Sequence, residues 1–142
     1  MVSTYVRAVG EPSQFPPGQY MTMAQSLQYP FSRGSIHITS SDINSPPDFD
    51  TGFLSHPADL APQVWTYKTM REIMRRMPSF RGEIAATHPQ FPRESMAACI
   101  SSYTPFVKDV VYSDKDNEAI EQWVRSKVET AWHSSWVPTQ RR

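Results

Sequence analysis

Four histidines and one cysteine are the residues with which this 142-residue chain could do proton-transfer, metal or thiol chemistry: His37, His56, His88, His133 and Cys99. Imidazole titrates near neutral pH, so any of the four could move a proton. No two histidines stand at the His-x-x-x-His spacing and there is no Cys-x-x-Cys pair, so no zinc site is expected. His37 falls on the polar side of an alternating stretch, "SIHITS", and reads as exposed or hydrogen-bonded. His56 and His88 each precede a proline, which holds their backbone extended, and both read as structural. Cys99 in "AACIS" has no basic neighbour to depress its thiol pKa and reads as a small buried side chain. His133 stands beside Trp132 at the end of "DKDNEAIEQWVRSKVETAWHS". A lone histidine with no named partner is weak grounds for catalysis, so from the residues alone it reads as structural or surface. The chain shows no Gly-x-Gly-x-x-Gly, no phosphate loop and no Gly-x-Ser-x-Gly elbow.

These residues need elements to position them. Tyr20–Gln28 partly alternates and Ser35–Ser40 alternates cleanly, with the turn "YPFSRG" between them, so an antiparallel hairpin of these two strands is expected. "EPSQFPPGQ" reads as an irregular connection, and the paired prolines of "SDINSPPDFDTG" exclude a central strand there. A first helix is expected over Pro57–Met77, capped by Asp59 or opened by Pro62 and stopped by Pro78. Its apolar stripe is Val64, Tyr67, Met70, Ile73, Met74 and Met77, with Lys68, Arg71, Glu72, Arg75 and Arg76 mainly opposite. Residues 79–112 show little periodicity. A capping box at Ser113 and Asp116 opens a second helix over Asp114–Glu129, with Ile120, Trp123, Val124 and Val128 at helical spacing. Strands first and helices later indicate an α+β fold, with helices against an antiparallel sheet.

Fourteen basic and fourteen acidic residues cancel, so charge gives no case for nucleic acid or an anionic membrane. Arg71, Arg75, Arg76 and Arg81 come nearest to a basic patch and are expected on a solvated helix face. A single cysteine allows no internal disulfide, and no apolar run approaches the roughly 20 residues of a membrane span. An N-terminal signal core and a Ser-Lys-Leu ending are both absent, so an intracellular protein is expected.

Several segments in order carry a family resemblance: "FPPGQYMTMAQSLQYPFSRGSIHITS", "PPDFDTGFLSHPADLAPQVWTYKTMREIMRRM", "THPQFP" and "DKDNEAIEQWVRSKVETAWHS". They resemble the substrate-binding domain of glucose–methanol–choline oxidoreductases, and within that family the fungal alcohol (methanol) oxidases. "YPFSRGSIHITS" and "ETAWHS" are the most specific pieces. The resemblance implies a mixed, largely antiparallel sheet with helices on one face. It implies oxidation of a small primary alcohol to an aldehyde, with hydride passing to FAD and oxygen reduced to hydrogen peroxide. It places His133 as the catalytic group that takes the hydroxyl proton, and Trp132 as a substrate-binding neighbour that narrows the pocket. It also implies a peroxisomal enzyme, whereas "TQRR" at the end suits the cytoplasm.

The match breaks after Ser134, where "SWVPTQRR" replaces the family's continuation. Residues 1–134 are therefore expected to be a partial substrate-binding domain and 135–142 a divergent tail. No FAD-binding Rossmann domain and no second catalytic residue are found in the sequence. The expectation is an alcohol oxidase fragment, inactive alone and poorly soluble through exposed apolar surface, with an FAD-domain polypeptide as a partner. The alternative is a non-catalytic module that binds a full-length homologous oxidase.

Overall fold

A computed structural model of the chain describes residues 2–6, 17–103 and 108–134, with side chains for 17–103 and 108–130. The first part of the expected irregular connection (11–16) and the divergent tail (135–142) lie outside the described residues.

The two helices form where the sequence punctuates them. Prolines at 57 and 62 cost nothing in a first turn, where the N–H groups have no intrahelical partner. A 3-10 turn, Pro57–Asp59, leads into α1, Leu60–Arg75. Asp59 occupies the N-cap position without making the cap bond. Its buried carboxylate instead accepts from the Phe31 N–H (2.8 Å) and the Ser32 N–H (2.7 Å). The second helix, α2 (Asp114–Lys127), opens on the expected capping box. Ser113 Oγ accepts from the Asp116 N–H at 3.3 Å, and Asp116 Oδ2 accepts from the Ser113 N–H at 2.8 Å. Arg125 and Lys127 face the negative end of the helix dipole.

The helices meet through a small core of Leu54, Tyr67, Ile120 and Val124, flanked by Leu60, Val64, Phe91, Tyr112, Trp123 and Val128. The Tyr67 and Trp123 rings tilt together with centroids 5.4 Å apart. Ile120 and Val124, one turn apart on α2, are fully buried. This seam carries most of the apolar burial. The rest of the expected α1 stripe is only partly covered, and Ile73 is 49% exposed.

The strand pairing differs from expectation. Strands β1 (Val2–Val6), β2 (Gln25–Leu27) and β5 (Val128–Ser134) form one antiparallel sheet in the order β2-β1-β5. Strands β3 (Ser35–His37) and β4 (Asp48–Asp50) form a separate antiparallel pair, with Ile36 opposite Phe49. The hairpin expected between 20–28 and 35–40 is therefore not made. Asp59 gives the reason, since it grips the intervening turn at Phe31 and Ser32 and directs the chain away from β2. The glycines of "SRG" and "DTG" then allow β3 and β4 to close. A Cβ at Gly34 would lie 2.2 Å from the Asp50 carbonyl oxygen, and one at Gly52 2.2 Å from that of Arg33. Gly52 also sits at φ 58°, a left-handed conformation suited to glycine.

The fold is α+β, as its segment order implies. Gln25 of β2 donates to Gln63 Oε1 of α1 at 2.9 Å, which ties the three-stranded sheet to the helix. The β3–β4 pair has no comparable cover. Ile36, Ile38, Ile43 and Phe49 are all exposed, so the alternation in "SIHITS" does not sort an inner face from an outer one.

Candidate functional site

His133 lies in β5, which begins at the residue after α2. The ladder with β1 runs in register from Val6↔Val128 to Thr4↔Thr130 and then shifts. The next pair is Val2↔Ser134, so Ser3 alone stands opposite Ala131, Trp132 and His133. Such bulges bend a strand and re-aim its side chains, and they are frequent beside active sites. The irregularity thus falls on the two residues to which the family resemblance assigns chemistry.

The other histidines have structural surroundings of different kinds. His37 ends β3 and is exposed. His56 Nδ1 accepts from the Ala58 N–H (3.2 Å) and caps the 3-10 turn, with its ring 5.2 Å from that of Phe31. His88 is extended at φ −121°, ψ 163°, as its proline requires. Its Nδ1 lies 2.9 Å from the Tyr67 hydroxyl. Cys99 is half-buried, and burial pushes its thiol up to about 11, so it stays protonated and inert.

Sequence reasoning missed the polar groups on the buried side of α1. Arg71 and Arg75 are buried, which corrects the expectation of a solvated arginine face; only Arg76 and Arg81 are exposed. The cause is Glu83. Its Oε1 and Oε2 accept from Arg71 Nε (2.6 Å) and Nη2 (2.8 Å), and its Oε2 also accepts from the Ile100 N–H (3.0 Å). Burial alone would raise the Glu83 pKa, but the Arg71 hydrogen bond and charge hold it below the usual carboxylate range. Gln63, Tyr67, Arg71 and Arg75 are the buried residues of α1 and recur every four positions. That spacing was the available signal, a polar stripe running beside the apolar one.

The stripe borders a cavity of about 790 Å³. Met70 and Met74 of α1 and Met77 just beyond its end line it, together with residues 17–23, the 79–84 loop, Tyr67, Arg71, His88 and Trp123 among others. Burial pushes the His88 imidazole down to about 4, outweighing the Glu83 charge, which acts the other way. His88 is therefore neutral in the folded chain at pH 7. Between about pH 4 and 6.5 the unfolded chain takes up a proton that the folded chain refuses, so stability falls as pH falls through that window. The full linkage is roughly 3 kcal/mol. Urea unfolding at stepwise pH should show this slope in the wild type and a shallower one in His88→Gln.

The described residues do not form a site for the FAD that the resemblance implies. A dinucleotide pyrophosphate rests on a free helix N-terminus after a glycine-rich turn between parallel strands. Here both sheets are antiparallel, and both helix starts carry buried carboxylates of their own, Asp59 and Asp116. Hydrogen bonds overcome the burial of both groups and keep them ionised, so each would repel a phosphate. Among the described residues, no helix is long and apolar enough to cross a membrane.

Known proteins place these elements in a family. Residues 30–135 match the family model of the GMC (glucose–methanol–choline) oxidoreductases, taking in β3, both helices and all of β5. Alcohol oxidase 1 of Komagataella phaffii is 38% identical over 87% of this chain and 25% of its own length. An alcohol oxidase of Candida boidinii is 35% identical over the same shares, 87% and 25%. A dehydrogenase of Emericella nidulans is 46% identical over 38% of this chain and 9% of its own. The chain spans about a quarter of the length of the alcohol oxidases it matches. With helices, strands and the His133 segment all inside the matched span, the chain belongs to the GMC oxidoreductase family.

Proposed function

We propose that this chain supplies the substrate side of an FAD-dependent alcohol oxidase that converts a small primary alcohol to its aldehyde with formation of hydrogen peroxide. The observation that carries the reading is 38% identity to an alcohol oxidase over 87% of the chain, with His133 inside the family match. His133 takes the hydroxyl proton, since an alcohol gives up hydride more readily as its oxygen becomes alkoxide-like. Trp132 bounds the space beside the reacting carbon and favours short alcohols. Residues other than those described hold the flavin, so an FAD domain, in the same longer protein or on a second polypeptide, completes the enzyme. The peroxide formed suits a peroxisomal setting.

The test is complementation. The remainder of Komagataella phaffii alcohol oxidase 1, all of it outside the matched quarter, would be co-produced with this chain. The expected result is a co-purifying yellow complex that forms peroxide from methanol or ethanol, while the chain mixed with FAD alone does neither. Turnover by the chain with FAD alone would overturn the need for a separate FAD domain. A folded, flavin-loaded complex without peroxide formation would overturn the oxidase reading and favour a non-catalytic module.

A further inference from the structure

The cavity of about 790 Å³ joins an apolar wall to a polar corner. Its volume lies within the roughly 300–1,000 Å³ typical of small-molecule sites. Met21, Met23, Met70, Met74 and Met77 line it, out of seven methionines in the chain. The unbranched thioether side chain repacks at little cost, so this wall suits a flexible apolar guest.

The polar corner carries a positive charge without a matching acid. The ionised side chains of the lining are Arg71, Arg81 and Glu83. Glu83 is committed to Arg71, which donates to its two oxygens through Nε (2.6 Å) and Nη2 (2.8 Å). Arg81 has no such partner. Among the described residues its hydrogen bonds run from Nη1, to the Pro78 (2.8 Å) and Phe80 (2.7 Å) carbonyls. Its guanidinium also lies 5.6 Å from the Tyr103 ring centre. Two carbonyls and a ring therefore hold this exposed guanidinium in place, while Nε and Nη2 keep their donors. That is the edge through which Arg71 takes the Glu83 carboxylate. Ser79 and Ser101 line the same cavity, and Ser101 packs against the residue after Arg81: a Cβ at Gly82 would lie 2.7 Å from the Ser101 carbonyl carbon. Both serines add hydroxyl donors to the corner.

We propose that this cavity binds an amphipathic monoanion, a medium-chain carboxylate, with its carboxylate on the Nε–Nη2 edge of Arg81 and its alkyl chain along the methionines. A planar carboxylate fits that edge in the bidentate manner that Glu83 fits Arg71. The inference stands on the cavity and does not rest on the oxidase reading.

The full chain would be titrated by calorimetry at pH 7 with sodium octanoate, with 1-octanol and with sodium acetate. Octanoate should bind saturably at one site. Octanol has the tail without the charge, and acetate the charge without the tail, so each should bind at least about tenfold more weakly. Arg81→Gln, at an exposed position, should weaken octanoate binding at least about tenfold and leave octanol binding unchanged. Met74→Trp, which fills the cavity, should abolish octanoate binding. Met77→Phe is the milder filling variant if the first does not fold. Absence of saturable octanoate binding would overturn the proposal. So would octanol or acetate binding as tightly as octanoate, or octanoate affinity unchanged in Arg81→Gln or in a folded filling variant.

Discussion

Replacing His133 by alanine in the complemented oxidase should lower kcat by roughly 100- to 10,000-fold, the usual contribution of a positioned general base. That range corresponds to about 3 to 5 kcal/mol of lost transition-state stabilisation. The flavin content of the complex should not change, because the proposed role of His133 is in proton transfer and not in holding the cofactor. The residual rate should rise with pH in the variant, since alkoxide formed in solution replaces the missing base. Wild type should lose that dependence above the imidazole pKa. A structural role for His133 would give a different result: less complex and less bound flavin, with an unaltered pH profile for the molecules that assemble. The bulge in β5 sharpens the argument. A strand that departs from its ladder at Ala131–His133 gives up pairing there, a cost for which the proposed role of His133 would be a reason. Trp132→Ala should act on specificity instead, raising kcat/KM for longer alcohols relative to methanol by opening the space beside the carbon.

The helices were legible because their signals are local. Ser113 and Asp116 stand three apart and cap α2, and Pro57, Pro62 and Pro78 bracket α1. The sheets were less legible for two physical reasons. Alternation marked the stretches that hold β2 and β3, but these strands and β4 are three residues each, too short to say which strand pairs with which. Strand β5 begins at Val128 with no turn residue after α2, so its alternation reads as the last turn of the helix. Pairing was misjudged because Asp59, twenty-seven positions beyond Ser32, decides where the turn at 29–34 points. The burial of Arg71 was hidden in the same way, since its acid lies twelve residues on, in a segment without periodicity. His133 was picked out by the family resemblance of "ETAWHS" alone; neither periodicity nor spacing marks it.

Arg71→Met should destabilise the chain by about 3–5 kcal/mol, the cost of leaving a buried charge without its partner. A domain of this size has a total stability of roughly 5–15 kcal/mol, so the variant should be largely unfolded at modest urea. The side chains of Arg71 and Glu83 are only 2% and 4% exposed, so water cannot replace the lost contacts. The pair also holds residues 79–112 to α1. Arg71 lies 5.1 Å from the Phe91 ring centre, and Glu83 fixes the backbone at Ile100 through its side chain and its own N–H (2.6 Å to the Ile100 carbonyl). Losing Arg71 thus loosens the irregular layer and the His88 corner together. The double variant Arg71→Met/Glu83→Gln removes both charges and should cost less than Arg71→Met alone, which a double-mutant cycle in urea would read directly. Acidification separates the ion pair from simple loss of packing. In the wild type the Glu83 pKa is lowered, so its stabilisation is full above the unfolded carboxylate range and is lost as pH falls through the folded value. In Arg71→Met the Ile100 N–H is the main group left to oppose burial, so the carboxyl pKa should rise from its wild-type value and protonation should relieve the strain. The stability gap between Arg71→Met and the double variant should therefore narrow between pH 7 and pH 5, read in a His88→Gln background because the Glu83 charge also acts on His88. A gap that stays constant over that range would mean that packing, and not the unpaired carboxylate, sets the cost.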